Sequence, residues 1–430
     1  MKKLKFLTLA AIAAATAMVS SCSDNGDLST PTKEAEGKAL VVNPTVDGSR
    51  IATTASTDFK SFKLFGFQNP PSTQPLFFNG TDGYVYNGAI GSAWSTTATD
   101  AKWPANSDTN SSNFYALSVN GGSSLPSYTG IDLTNIQQGK FSYTAPLSGS
   151  DVDLSKQEDI LVASSLNALQ SDNNGVLNLP FTHAFAKVTF QIRFNSYELN
   201  KQGLQASTGN LLDSYVFYIK SLTIHNVKLN GDYIFGTGWT ADGLGDIVYS
   251  FPEDYTLLPK HITSDSEKLF QDLITEANSI MIVPQTFATH WDPTKKLTAA
   301  GDSPYIDIEG WILNKDATYN GLKLDYDNDG TSMTQKQAEQ FLAENSPSSL
   351  LARENDVVYT DGDENEFTGA DIMNLYSFQV GGADTPDKLY FTFPSTLSFV
   401  ENKYYNIRLN VYNAYYDNGT KALTASGMSD

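Results

Sequence analysis

From Ala186 to Phe194 every second residue is apolar: Ala186, Val188, Phe190, Ile192 and Phe194 share one face of an extended chain, and Lys187, Thr189, Gln191 and Arg193 share the other. Side chains alternate across a strand with a period of two, so this segment fits a half-buried β-strand with one solvated face and gives a helix no continuous apolar stripe. The same period recurs in short runs bounded by Gly, Asn, Asp, Pro and Ser. These are Phe59 to Phe67, Asn113 to Val119, Asp159 to Ser164, Ser221 to Lys228, Gly231 to Phe235, Ile280 to Val283, Tyr305 to Glu309, Leu389 to Phe393 and Tyr404 to Tyr412. In the first run Phe59, Phe65 and Phe67 fall on one face and Phe62 and Leu64 on the other; in the last, Tyr405, Ile407, Leu409 and Val411 take the buried side. Many short strands separated by turn residues specify an all-β chain of the sandwich type.

Helical spacing interrupts this pattern twice. Leu269, Phe270, Leu273 and Ile274 within Ser266 to Ala277, and Ala338, Phe341 and Leu342 within Thr334 to Glu344, predict short surface helices. With 430 residues the chain is long enough for two or three domains, and the strand pattern divides near residue 178. The expected organisation is one sandwich over 38–178 and a second over 179–430, the latter carrying an acidic insertion at about 314–366.

Met1 to Ser21 combines a lysine-rich start (Lys2, Lys3, Lys5) with an apolar run from Phe6 to Val19 that is short for a membrane span, the pattern of a removable export signal. Cys22, the single cysteine, follows it directly, so no intrachain disulfide is possible. The order Val19-Ser20-Ser21-Cys22 resembles the lipobox of bacterial lipoproteins, in which the thiol is acylated, for example by palmitate, and becomes the new amino terminus. The polar stretch over 22–37 reads as a flexible tether. Formal net charge is −20, a surface that repels phosphate backbones and argues against nucleic acid as a partner.

Constellations that carry chemistry are few. Asp325, Asp327 and Asp329, with Asn328 and Gly330, match the opening of a calcium loop, but the twelfth position is Lys336 rather than a bidentate Glu, so a solvated acidic turn is the alternative. His183, His225, His261 and His290 are scattered without metal-ligand spacing, and no nucleophile elbow, Walker loop or dinucleotide fingerprint occurs. The expectation is a protein that is not an enzyme and has no cofactor beyond that calcium candidate. Trp94, Trp103, Trp239, Trp291 and Trp311 suit either a sugar-stacking platform or the sandwich cores.

Leu179-Pro180-Phe181-Thr182-His183-Ala184-Phe185-Ala186-Lys187-Val188 resembles the recurrent Phe-x-His-Ala-x-Ala-Lys-Val strand of the fimbrillin family, the lipoprotein precursors of type V pilus subunits. Trp103-Pro104 ahead of Phe114-Tyr115-Ala116, then Ile282-Val283-Pro284-Gln285, then Phe399-Val400-Glu401-Asn402-Lys403-Tyr404-Tyr405, follow in the family's order. The resemblance implies two tandem transthyretin-like β-sandwich domains with a few short surface helices. It also implies a route: a precursor held in the outer membrane through acylated Cys22 and exposed at the surface, then cut by an arginine-specific protease between Arg50 and Ile51. Loss of the first strand opens a groove that another pilus subunit completes by β-strand complementation, and the product enters the fimbrium. Tyr405, Ile407, Leu409 and Val411 are candidates for the donor strand, or a permanent strand of the second domain. The alternative function is a surface lipoprotein that keeps the fold without polymerising and binds a glycan or host ligand.

Overall fold

The computed structural model describes residues 38–47, 58–68, 83–99, 101–104, 109–122, 130–194, 215–252, 256–257, 270–289, 301–314, 344–345, 347–360, 364, 366–376, 387–393, 397–411, 415–416, 422–424 and 428–429. Its main strands are, in chain order, β1 (Val41–Val46), β2 (Ser61–Gln68), β3 (Tyr84–Asn87), β4 (Ser112–Val119), β5 (Lys140–Tyr143), β6 (Ile160–Ala168), β7 (Val176–His183) and β8 (Ala186–Phe194). They continue as β9 (Tyr215–Ile234), β10 (Gly238–Ser250), β11 (Gln271–Ile274), β12 (Ile280–Ile282), β13 (Tyr305–Asn314), β14 (Asp387–Thr392) and β15 (Tyr404–Val411). The described residues are mostly strand, and the helices among them include the short α1 (Pro347–Ala352) and α2 (Gly369–Tyr376).

Three large sheets organise these strands. A seven-stranded sheet runs β1-β7-β6-β4-β2-β3 and ends on Ser95–Thr96. A five-stranded sheet sets β8 between β15, which is parallel to it over eight residue pairs, and the antiparallel β11 and β12. A nine-stranded sheet is built on β9, flanked by β13, β5 and β10. Inward residues of the last two sheets, Val188, Phe190, Ile192 and Leu409 from one and Leu222, Ile224, Ile306 and Ile308 from the other, join one core, the arrangement of a β-sandwich.

The seven-stranded sheet is buried on both faces. Phe65, Phe67, Tyr115, Leu117, Ile160 and Val162 enter that shared core, whereas their neighbours Phe62, Leu64, Phe114, Ala116, Leu161 and Ala163 point to a second core on the opposite face. Phe59 corrects the sequence expectation: it sits with Phe62 rather than with Phe65, ring centroids 6.1 Å apart. The reason is that β2 begins at Ser61, so strand alternation does not extend back to Phe59.

Two further corrections concern polarity and period. Lys187 and Thr189 are buried, not solvated, because β8 is an interior strand. Thr189 Oγ1 pairs with the Tyr404 hydroxyl at 2.9 Å and the Lys187 ammonium lies 5.9 Å from the centre of the Tyr404 ring. The region expected as a helix from Ser266 to Ala277 holds β11 and a single 3-10 turn, Glu276–Asn278, in its described part. A helix that short is marginal on its own, and pairing with β8 gives its backbone ladder partners, with an irregularity in register, while burying the consecutive Leu273 and Ile274. The helix expected from Thr334 to Glu344 lies outside the described residues except at Glu344.

The segments Ser221 to Lys228 and Gly231 to Phe235, read as two strands, belong, up to Ile234, to the single 20-residue β9. Register shifts between Ile219 and Ser221 and between Ile224 and Val227 interrupt its alternation. Each bulge inserts a residue and resets the facing, so Ile219, Leu222, Ile224 and Val227 all reach the core.

Candidate functional site

The first strand is an edge strand that covers an aromatic core. β1 is the edge of the seven-stranded sheet and lies parallel to β7, with Val41 opposite Val176 and Val46 opposite Phe181. Its own alternation places Val42 and Pro44 inward and Val41, Asn43 and Thr45 outward, an apolar row that Leu40 begins and the half-buried Val46 ends. Proline suits this place, since an edge strand is where a missing backbone N–H is tolerated.

Inward, the strand covers aromatic side chains. Leu40 and Val42 join Leu177, Leu179 and Phe181 of β7 with Phe59, Phe62, Tyr86, Trp103 and Phe114 in the second core. The Phe181 ring lies 4.8 Å from Phe59 and 5.2 Å from Phe62. Burial of a side chain of this kind stabilises by roughly 1.5–3 kcal/mol, so a chain that loses β1 loses several such contributions and bares the edge of β7.

The strand is tied at both ends. At its start the Leu40 N–H donates to the Ala101 carbonyl (3.0 Å) and the Trp103 N–H to the Lys38 carbonyl (2.8 Å), while Trp103 Nε1 donates to the Gly175 carbonyl just before β7 (3.0 Å). At its end the Asp47 N–H donates to the Phe181 carbonyl (2.9 Å) and the Asp47 carboxylate accepts from Asn402 Nδ2 (2.8 Å). Asn43 Nδ2 donates to Asn178 Oδ1 on the solvent side (2.8 Å).

His183 closes β7, fully buried, with Nδ1 at 2.8–2.9 Å from the two oxygens of the equally buried Asp159. The histidine of the sequence motif is thus a structural group that joins β7 to the start of β6. Its backbone N–H points to Asn402 Oδ1 at 3.4 Å, which connects it to the end of β1.

Of the residues singled out in the sequence, Cys22, Arg50, Ile51, Asp325, Asp327 and Asp329 lie outside the described residues. Tyr405, Ile407 and Leu409 lie on β15 in register with Val188, Phe190 and Ile192. Ile407 and Leu409 are buried, and the Tyr405 hydroxyl donates to the Ser398 carbonyl at 2.8 Å. Val411 ends the same strand opposite Phe194. Beyond it Tyr415–Tyr416, Ala422–Thr424 and Met428–Ser429 add short strands at the sheet margins.

Three of the five tryptophans lie in the cores or pack against them. Trp103 is buried, Trp94 tilts against Phe59 and Phe62 at 5.4 and 5.2 Å, and Trp239 stacks on Phe185 while its Nε1 donates to the Ala184 carbonyl at 2.6 Å. Sequence reasoning did not single out Pro44, Trp103 and Phe181 as parts of one site. The signal for Pro44 was present, because the row Leu40, Val42, Pro44 and Val46 keeps a period of two through the proline.

Residues 49–320, more than half of the chain, match the model of the fimbrillin-like family, and the chain belongs to that family. Its members are structural proteins, not enzymes. Among solved structures, similarity is found to a fimbrial protein from Bacteroides vulgatus, with 10% identity over 91% of this chain and 99% of that one and a TM-score of 0.42. It is also found to a fimbrilin from Porphyromonas gingivalis, with 13% identity over 88% of this chain and 91% of that one and a TM-score of 0.35. The tip fimbrial protein Mfa3 of the same organism gives 8% identity over 83% and 92%, with a TM-score of 0.32. Comparison with curated protein sequences finds no match.

Proposed function

We propose that this chain is a precursor subunit of a cell-surface fimbrium that becomes competent for assembly when β1 is cut away. The observation that carries the proposal is the position of β1: an edge strand, paired along one side with β7, whose inward side chains cover an aromatic core. Arg50, the first arginine, follows it by four residues in the sequence Asp47-Gly48-Ser49-Arg50-Ile51. Cleavage there leaves β1 attached only by hydrogen bonds and packing, and its departure creates a groove with an open strand edge, the receptor half of a β-augmentation pair. Export as a lipoprotein through Cys22 delivers the precursor to the outer surface in this reading.

The donor strand is drawn from the carboxy-terminal end of another copy. For β15 to serve, it would have to leave eight pairs with β8, whereas the strands beyond it pair over only two or three residues each. The short strands therefore favour a donor beyond Val411, with Tyr405, Ile407, Leu409 and Val411 staying in the chain's own sheet.

Amino-terminal sequencing and intact mass of the protein from shed filaments and from outer membrane test this. A filament chain beginning at Ile51, an uncut acylated form beginning at Cys22 in the membrane, and loss of incorporation in Arg50→Ala are expected. Normal filaments built from uncut Arg50→Ala protein would sink the processing step.

A further inference from the structure

A cleft of about 300 Å³ opens between the 3-10 turn Leu154–Lys156, the 3-10 turn Glu276–Asn278 and the end of β10, far along the chain from β1. We propose that it holds one neutral sugar ring, a binding role separate from assembly. Its floor is rigid. Gln157 grips the Met281 backbone from both sides, Nε2 donating to the carbonyl and Oε1 accepting from the N–H, each at 3.0 Å. Asn120 is fixed to Asp159 by a reciprocal pair, its N–H donating to the Asp159 carbonyl and its Oδ1 accepting the Asp159 N–H, both at 2.8 Å.

The chemistry of the lining selects the ligand. Among the described residues Asp159 is the one charged side chain that lines the cleft, and its carboxylate is already engaged by His183. A charged ligand would be desolvated there without a counter-charge, which is costly. A purely apolar ligand would seal off polar groups of the lining such as Tyr249, Asn278 and Ser279; among the described residues the buried Ser279 hydroxyl has no hydrogen-bond partner. A pyranose satisfies both demands, since its hydroxyls both donate and accept while its C–H face covers Tyr249, Leu154 and Met281. The volume is at the low end of the roughly 300–1,000 Å³ of small-molecule sites, enough for a single ring and not for an extended chain.

The test is saturation-transfer NMR on the uncut full chain with the methyl pyranosides of glucose, galactose, mannose, fucose and N-acetylglucosamine, and with N-acetylneuraminate as a charged probe. Transfer to at least one neutral glycoside is expected. Affinity should fall about tenfold or more in Ala277→Trp, which fills the mouth from an exposed position, and less in Ser279→Ala, which removes one hydroxyl. Thermal melts confirm that the variants fold, and Ser279→Ala carries the test if Ala277→Trp does not. No transfer to any neutral glycoside, transfer unchanged in both variants, or preferential binding of N-acetylneuraminate would each overturn the proposal. Because the uncut chain is used, the result is independent of the cleavage at Arg50.

Discussion

Asn402 and Asp47, 355 residues apart in sequence, meet at 2.8 Å: the amide of a turn just before β15 donates to the carboxylate just after β1. The same Asn402 side chain accepts from the backbone of His183 at the end of β7, so one residue joins the two strands whose pairing defines the edge. Asn402 adopts a left-handed backbone with φ of 56°, a conformation Asn tolerates better than most residues.

Asn402→Gly keeps that backbone conformation and removes both hydrogen bonds. The expected loss is about 1–3 kcal/mol, from roughly 0.5–1.5 kcal/mol for each bond. Urea denaturation reads the loss, and digestion with an arginine-specific protease followed by size exclusion should show β1 departing faster than from the unaltered chain. Equal rates would mean the contact does not retain β1.

Phe181→Ala should be among the most damaging single changes. The ring is fully buried between Phe59 and Phe62 beneath β1, and truncation of a buried Phe costs about 3–5 kcal/mol. Chemical denaturation measures the cost. Val41→Ala, on the exposed face of the neighbouring strand, should cost less than about 0.5 kcal/mol and serves as the control.

Stability should fall as pH rises from near neutral to mildly alkaline. Burial alone would lower the pKa of His225, but its Nδ1 lies 2.9 Å from Asp246 and its Nε2 2.8 Å from Asp307, and these carboxylates together raise it from 6.5 to about 9. A group whose folded pKa is raised contributes fully below its unfolded value of 6.5, and the contribution is lost as pH climbs through about 9. The hydrogen bond to His225 holds Asp246 below its ordinary value of 3.8, so the contribution of Asp246 is present above that pH and lost only in acid. Melting temperatures of wild type and His225→Asn across pH 6 to 10 test this, with the alkaline slope expected to flatten in the variant.

Gln157→Glu isolates one half of a clamp. The carboxylate still accepts from the Met281 N–H but can no longer donate to the Met281 carbonyl, and the expected loss is about 1–3 kcal/mol. Gln157→Ala removes both bonds and should cost at least as much by thermal denaturation.

Strand identity was legible wherever one face was apolar and turn residues marked the ends, as in β4, β8 and β15. What stayed hidden depended on neighbours distant in sequence. Lys187 reads as solvated from alternation alone, because only the fold reveals that β8 lies inside a sheet with Tyr404 beside it. β9 reads as two strands because Asn230-Gly231 is a turn signal between the two runs, and its bulge at His225 and Asn226 is equally hidden: the left-handed φ of 56° at Asn226 and its bonds to the Gly301 and Ser303 carbonyls are tertiary facts. The edge strand was only half visible: Ala39 to Val42 are apolar, yet nothing local shows that this stretch pairs with residues 176–181 or that Trp103 and Phe181 lie beneath it.

The parallel pairing of β1 with β7 has a consequence for symmetry. A groove at one place on a subunit and a donated strand at another make a head-to-tail contact, in which the two surfaces differ and no two-fold axis relates them. A strand that takes the place of β1 in the same direction fixes which way each successive copy points. Repetition of that contact does not close on itself as a dimer does. In the proposed assembly it would yield an open, directional polymer whose two ends are chemically distinct, one presenting an unfilled groove and the other an undonated strand.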